Sequence, residues 1–311
     1  MNKFKGFLFG MTASSTFGLL PLFTLPIMSE GLTTNSILCY RMLFASVLVA
    51  VLMQVRKIAF RTNLRELLWF AFLGFFYYGS ASLLFQAYGT MSSGMATTLH
   101  FLYPVGVTLI MALVFKQRPS PFTILAIILG LSGVALLSLK EGGGSSSASL
   151  VGILLVLLSG LSYAAYLVTM NNVRRVRESN NLKLTLYVLI FSALFFLLDT
   201  SLSGGLQMIP SGRALTNLLL LAFLPTLVSN LALVRAVKSI GSTLTSVLGA
   251  MEPLTAIVIG VVVFGEEVTG PMALGILLIL LSVTIIVLSP LLDKNIAERL
   301  RRLSKRPIRR Q

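Results

Sequence analysis

The chain has 311 residues, of which 56% are hydrophobic and 11% charged, with a mean hydropathy of +0.90. A soluble domain carries about 25% charged residues, so this composition excludes an ordinary globular protein. A formal net charge of +15 would suggest nucleic acid in a soluble chain, but here the positions of the charges point elsewhere.

Only helices and closed barrels satisfy their backbone polar groups in lipid. A helix needs about 20 mostly apolar residues to cross the hydrocarbon core. The apolar runs here have that length and lack the alternation of a barrel strand, so the fold class is all-α integral membrane. In chain order the spans are 5–28, 33–55, 66–87, 94–115 and 119–139, then 150–170, 183–198, 214–234, 243–264 and 270–291. The first reads as a retained span rather than a signal peptide. It is long, carries Pro21 and Pro26, and ends in Ile27-Met28-Ser29, a poor cleavage site. Of the 25 lysines and arginines, 22 precede or open span one, follow span ten, or lie between spans two and three, four and five, six and seven (with Lys183 opening span seven), or eight and nine. By the positive-inside rule this places both termini in the cytoplasm, in a multi-pass protein of the cell inner (plasma) membrane. The basic tail, 292–311, then leans on anionic headgroups of the cytoplasmic leaflet rather than on nucleic acid.

The Gly/Ser-rich stretch 140–148 reads as a periplasmic linker that divides ten spans into five and five. Residues 1–139 form a first five-helix repeat and 149–291 a second. With an offset of 149, Ala87 meets Ala236, Ser93 meets Ser242, Pro104 meets Pro253 and Phe115 meets Phe264. Nearer the start an offset of 146 sets Gly6 on Gly152, Thr16 on Ser162 and Arg41 on Tyr187. Five is odd, so the second repeat enters the membrane inverted. The basic Lys116-Gln117-Arg118 faces inward while its counterpart, Gly265-Glu266-Glu267, faces outward. Inverted repeats are a recurring architecture of secondary transporters, with the substrate site near midplane between the halves.

The stretch Ala250-Met251-Glu252-Pro253 through Gly265-Glu266, followed by Gly270-Pro271-Met272-Ala273, resembles the ninth-to-tenth-helix signature of EamA-like permeases of the drug/metabolite transporter superfamily. Arg41-Met42-Leu43-Phe44-Ala45 resembles that family's second-helix pattern, and Phe17-Gly18 its first-helix aromatic-glycine pair. The resemblance implies ten helices in two inverted repeats, working by alternating access, usually as metabolite or amino-acid exporters. His100-Phe101-Leu102-Tyr103-Pro104 departs from it by being more polar before the proline.

Ionisable groups inside a bilayer are costly, at about 2.5–3.5 kcal/mol for a central charge on insertion scales. Glu252 sits nine residues into its span, before Pro253. It can bind a substrate amine or take up a proton, or instead cap donors at a proline-disturbed helix. On a helix Thr97, His100 and Tyr103 share a face with Pro104, offering a hydroxyl, an imidazole and a phenol to a substrate. Tyr78 and Tyr163 join them as candidates, because phenols in hydrocarbon need partners. Arg41 reads as structural, by snorkelling outward or pairing with Glu30, with a substrate carboxylate as the other reading. Pro104, Pro253 and Gly18 read as structural or hinge positions.

No Gly-Lys pair occurs for a Walker A loop and no Gly-x-Ser-x-Gly elbow, and one histidine with one cysteine, Cys39, allows no metal cluster. The expectation is therefore no enzyme, no cofactor and no metal. The chain reads as a secondary exporter of amino acids or similar small amphipathic metabolites, with proton coupling as an option. A sugar-phosphate, nucleotide-sugar or drug exchanger of the same fold is the alternative, and a membrane-embedded enzyme or scaffold a remote one. Sugar phosphates call for paired cations deep in the cavity, and only Arg41 qualifies.

Overall fold

The computed structural model describes residues 3–88, 90, 96, 99–117, 119–138, 150–264, 270–271, 273–286 and 288. Thr97, the side chain of Pro253, the 140–148 linker and the 292–311 tail lie outside the described residues. The described elements are all helical. In the first half they are α1 (Lys3–Phe17), α2 (Leu20–Ser29), α3 (Thr34–Val55), α4 (Leu64–Tyr88), α5 (Tyr103–Leu113) and α6 (Pro121–Ser138). In the second they are α7 (Leu150–Asn172), α8 (Arg174–Glu178), α9 (Asn181–Leu202), α10 (Gly212–Ala222), α11 (Ser229–Ile240), α12 (Ser242–Leu248), α13 (Met251–Phe264) and α14 (Ala273–Ile286).

Among the described residues, six helical segments are long and apolar enough to cross a membrane: α1 with α2, α3, α4, α7, α9, and α10 with α11. The helices 103–113, 121–136 and 273–286 are shorter and also apolar. Proline explains the first kink. Pro21 has no N–H to give to the Phe17 carbonyl, and α1 gives way to α2 over Gly18-Leu19. The span expected over 183–198 is longer, because α9 runs from Asn181 to Leu202. Asn180 caps it by accepting from the Leu182 and Lys183 amides, at 2.9 and 3.4 Å. At its far end Thr200 and Ser201 donate to the carbonyls of Phe196 and Leu197, so their polarity is absorbed by the helix itself.

The spans expected over 94–115 and 243–264 are interrupted, both just before the matched prolines. A turn at Phe101-Leu102 precedes α5, whose first two residues are Tyr103 and Pro104. A turn at Gly249-Ala250 separates α12 from α13, which begins Met251-Glu252-Pro253. Proline fits the first turn of a helix, where its missing donor has no intrahelical partner to lose.

Packing is paired. Helix α1 runs antiparallel to α11, with Gly6 against Ser239 and Ile240 and Ala13 beside Ser229. Helix α7 runs antiparallel to α4, with Gly79 against Ser162 and Ser80 beside Ser159. A hydrogen bond joins equivalent positions in both pairs, with donor and acceptor exchanged: Ser229 Oγ donates to the Ala13 carbonyl at 2.9 Å, and Ser159 Oγ to the Ser80 carbonyl at 2.5 Å. Ala13 and Ser159 are 146 residues apart and Ser80 and Ser229 are 149 apart, the two offsets read from the sequence. Helices α6 and α14 also cross antiparallel. Gly133 abuts Gly275 and Ile279, Gly130 abuts Ser282, and Ser282 Oγ donates to the Ala126 carbonyl at 2.6 Å. Small residues here let two backbones approach closely.

Candidate functional site

Both helix breaks open onto one internal cavity of about 20 Å³, room for a single water-sized occupant. Helix α1 lends Ser14 and Phe17 to its lining, α4 lends Tyr77, and α7 lends Tyr163 and Leu167. Ser229 and Asn230 come from α11 and Thr245 from α12, while Tyr103 and Glu252 stand at the starts of α5 and α13. Tyr103 and Glu252 are 149 residues apart, so they hold equivalent places in the two halves, each immediately before its proline.

Tyr103 is buried and ties the two breaks together. Its hydroxyl donates to the Ser246 carbonyl at 3.2 Å, and it occupies the space over Gly249, where a Cβ would lie 1.7 Å from the phenol oxygen. Its ring meets Tyr163 edge-on at 4.8 Å, Tyr163 stacks on Tyr166 at 6.0 Å, and Tyr166 reaches Tyr77 at 5.4 Å. Of these four phenols, Tyr77, Tyr103 and Tyr163 line the cavity. Among the described residues, no hydrogen-bond donor reaches the Glu252 carboxylate, which faces this cavity. The main chain of Glu252 is fixed from behind by Gly18: a Cβ there would lie 2.4 Å from the Glu252 carbonyl oxygen and 2.7 Å from Thr255 Cβ.

Arg41 is 4% exposed and neither snorkels nor pairs with Glu30. Its Nε donates to Thr226 Oγ1 at 2.6 Å, and its guanidinium lies 5.1 Å from the centre of the Phe17 ring. Glu30 instead accepts from Ser211. Thr226 belongs to a π-helical turn, Phe223–Val228, between α10 and α11, and its hydroxyl donates to the Leu221 carbonyl at 2.8 Å. Such turns recur at functional sites. From the start of α11, just after this turn, Asn230 Nδ2 donates to the Thr226 carbonyl at 2.8 Å and to the Tyr77 hydroxyl at 3.2 Å. Arg41 is therefore joined to the cavity wall through Thr226 and Asn230. Its Nη2 is buried without a partner among the described residues. Arg41 and Glu252 are close enough for their charges to interact, yet they do not form an ion pair within 4.0 Å.

His100 does not line the cavity. Its Nδ1 lies 3.0 Å from Ser159 Oγ, and that hydroxyl spends its proton on the Ser80 carbonyl. Nδ1 must therefore be the donor, by the tautomer the network requires. The imidazole backs the phenol wall, with ring centres 5.7 Å from Tyr103 and 6.1 Å from Tyr163. Tyr78 points away from the cavity and packs against Phe195 and Phe196. Of the residues expected at the site, the fold brings Tyr103, Tyr163 and Glu252 together with Gly18 behind them. His100 stands one layer out, and Pro104 begins α5 beside Tyr103. Sequence reasoning passed over Tyr77, Thr226 and Asn230. An asparagine inside an apolar span was the available signal, since a polar side chain in hydrocarbon needs partners.

The sequence matches the model of the EamA-like transporter family twice, over residues 4–139 and 150–288. The chain belongs to the EamA-like transporter family. This EamA-like transporter is 26% identical over 239 residues to an uncharacterized transporter of Synechocystis sp., covering 74% of the chain and 71% of the relative. Its fold also matches a solved crystal structure with a TM-score of 0.79 at 19% identity, covering 94% of this chain and 98% of the other.

Proposed function

We propose that this EamA-like transporter is a secondary carrier that exports amino acids or similarly small amphipathic metabolites across the inner membrane by alternating access. The observation that carries this reading is the cavity. A carboxylate without a hydrogen-bond donor among the described residues, a wall of phenols and small hydroxyls converge on it from helices of both halves. Glu252 takes the substrate amine or exchanges a proton, the phenols of Tyr77, Tyr103 and Tyr163 take apolar or aromatic portions, and His100 sets the pose of the wall. Thr97 and the hinge roles of Pro104 and Pro253 belong to the same proposal, whereas Tyr78, turned toward Phe195 and Phe196, is left outside it.

Ten membrane helices in two inverted halves, with both termini cytoplasmic, complete the reading. The mirrored serine hydrogen bonds and the antiparallel crossing of α6 and α14 support it, because a two-fold axis lying in the membrane relates the pairs in this way. In this reading the helix breaks at Tyr103 and Glu252, which meet at the cavity, are where the halves rock open. Sugar-phosphate exchange is disfavoured, because Arg41 is alone as a buried cation beside the cavity among the described residues. Purified protein in liposomes, assayed for counterflow against amino acids and metabolites with and without a pH gradient, tests the proposal. Counterflow confined to phosphorylated sugars would overturn the substrate class.

A further inference from the structure

At one end of the molecule three basic segments far apart in sequence are sewn together. Lys183 Nζ donates to the Arg61 carbonyl at 2.8 Å, Tyr187 to the Phe60 carbonyl at 2.7 Å, and Lys238 Nζ to the Ser179 carbonyl at 2.7 Å. Between residues 63–66 and 175–179 this leaves a cleft of about 640 Å³, lined by Arg65, Arg175, Asn63, Ser179, Glu66 and Glu178, with Leu64 at its edge. Both carboxylates are engaged within the protein. Glu66 accepts from Thr62 at 2.5 Å, and Glu178 accepts from Arg174 at 2.8 Å. Among the described residues, neither Arg65 nor Arg175 has a protein acceptor. The surrounding surface adds Arg56, Lys57, Arg61 and Arg177, so the cleft sits in a positive field.

What leads out of the cleft is apolar. Leu64 is 71% exposed, and Leu68 and Phe72 follow at one-turn spacing on α4, also exposed. Two uncommitted guanidiniums beside a lipid-facing apolar stripe match an amphiphile whose anionic head takes forked hydrogen bonds. We propose that this cleft binds the phosphate group of an anionic phospholipid, held by Arg65 and Arg175, with an acyl chain lying along Leu64, Leu68 and Phe72. A free phosphate shares the head chemistry but makes no use of the stripe.

Trp69, the sole tryptophan, lies beside this stripe with its ring edge-on to Phe72 at 5.7 Å, and it reports directly. The full chain is reconstituted in phosphatidylcholine nanodiscs containing a minor fraction of acyl-brominated phosphatidylglycerol or, in parallel, of brominated phosphatidylcholine. Brominated phosphatidylglycerol is expected to quench Trp69 more strongly, with a preference falling roughly fivefold for each guanidinium removed in Arg65→Gln and Arg175→Gln. The double variant Arg56→Gln/Arg177→Gln loses the same charge outside the cleft and is expected to keep the preference. Equal quenching by the two lipids in the unaltered protein overturns the proposal, as does a loss in Arg56→Gln/Arg177→Gln equal to that in Arg65→Gln/Arg175→Gln. Erasure of the preference by millimolar inorganic phosphate would overturn the lipid assignment in favour of a free anion. Transport is not measured, so this result is independent of the substrate reading.

Discussion

Glu252, Gly18 and Tyr103 form the compact unit on which the candidate site rests. Among the described residues no donor reaches the Glu252 carboxylate, so under the proposed function it is open to a ligand, and a hydrogen bond to a charged group contributes about 1.5–3 kcal/mol. Glu252→Gln is expected to lower liposome transport by roughly tenfold or more while leaving thermal stability unchanged. Full transport by this variant would remove Glu252 from the site. Gly18→Val is expected to act oppositely in kind. Its side chain meets backbone rather than a flexible tip, so overpacking costs about 1–3 kcal/mol, read as a lower unfolding temperature in detergent. Glu252 was legible in the sequence because a charge in an apolar run stands out. Tyr77 was not: it adjoins Tyr78 in the same span, and sequence alone does not say which of two neighbouring phenols turns inward.

Among elements, the paired helices α1/α11 and α4/α7 carry matching serine hydrogen bonds, and these set comparable expectations. Ser229→Ala and Ser159→Ala each leave a buried carbonyl short of a donor, at about 1 kcal/mol apiece in thermal unfolding. Ser159→Ala also strips His100 Nδ1 of its acceptor, so of the two it is expected to disturb transport more. Equal transport in the two variants would deny His100 any part in shaping the wall. The breaks before Tyr103 and Glu252 were half visible as matched prolines. Proline fixes where a helix begins, but the turn ahead of it is decided by Tyr103 entering the gap over Gly249, a contact 146 residues away in sequence.

For the whole molecule, the crossing of α6 and α14 gives a direct test of how the halves meet. A Cβ at Gly130 would lie 3.7 Å from that of Ser282, close to the mean separation of about 3.8 Å in disulfides. Gly130→Cys/Ser282→Cys, made in a Cys39→Ser background, is expected to cross-link on mild oxidation. Failure to do so would place the two helices in another register. A tag at Gly143 is expected to be reachable only from the periplasmic side, and reactivity from the cytosol would overturn the inverted arrangement. The sequence by itself determined that the chain is helical, repeatedly apolar and doubled. Hydropathy and charge act locally through solvation, and they leave their record residue by residue. Only the tertiary structure decided which side chains share the cavity, why Arg41 is buried against Thr226 rather than drawn to Glu30, and where helices give way to turns. Those outcomes depend on the direction each helix face takes once it is packed against partners far away in the chain.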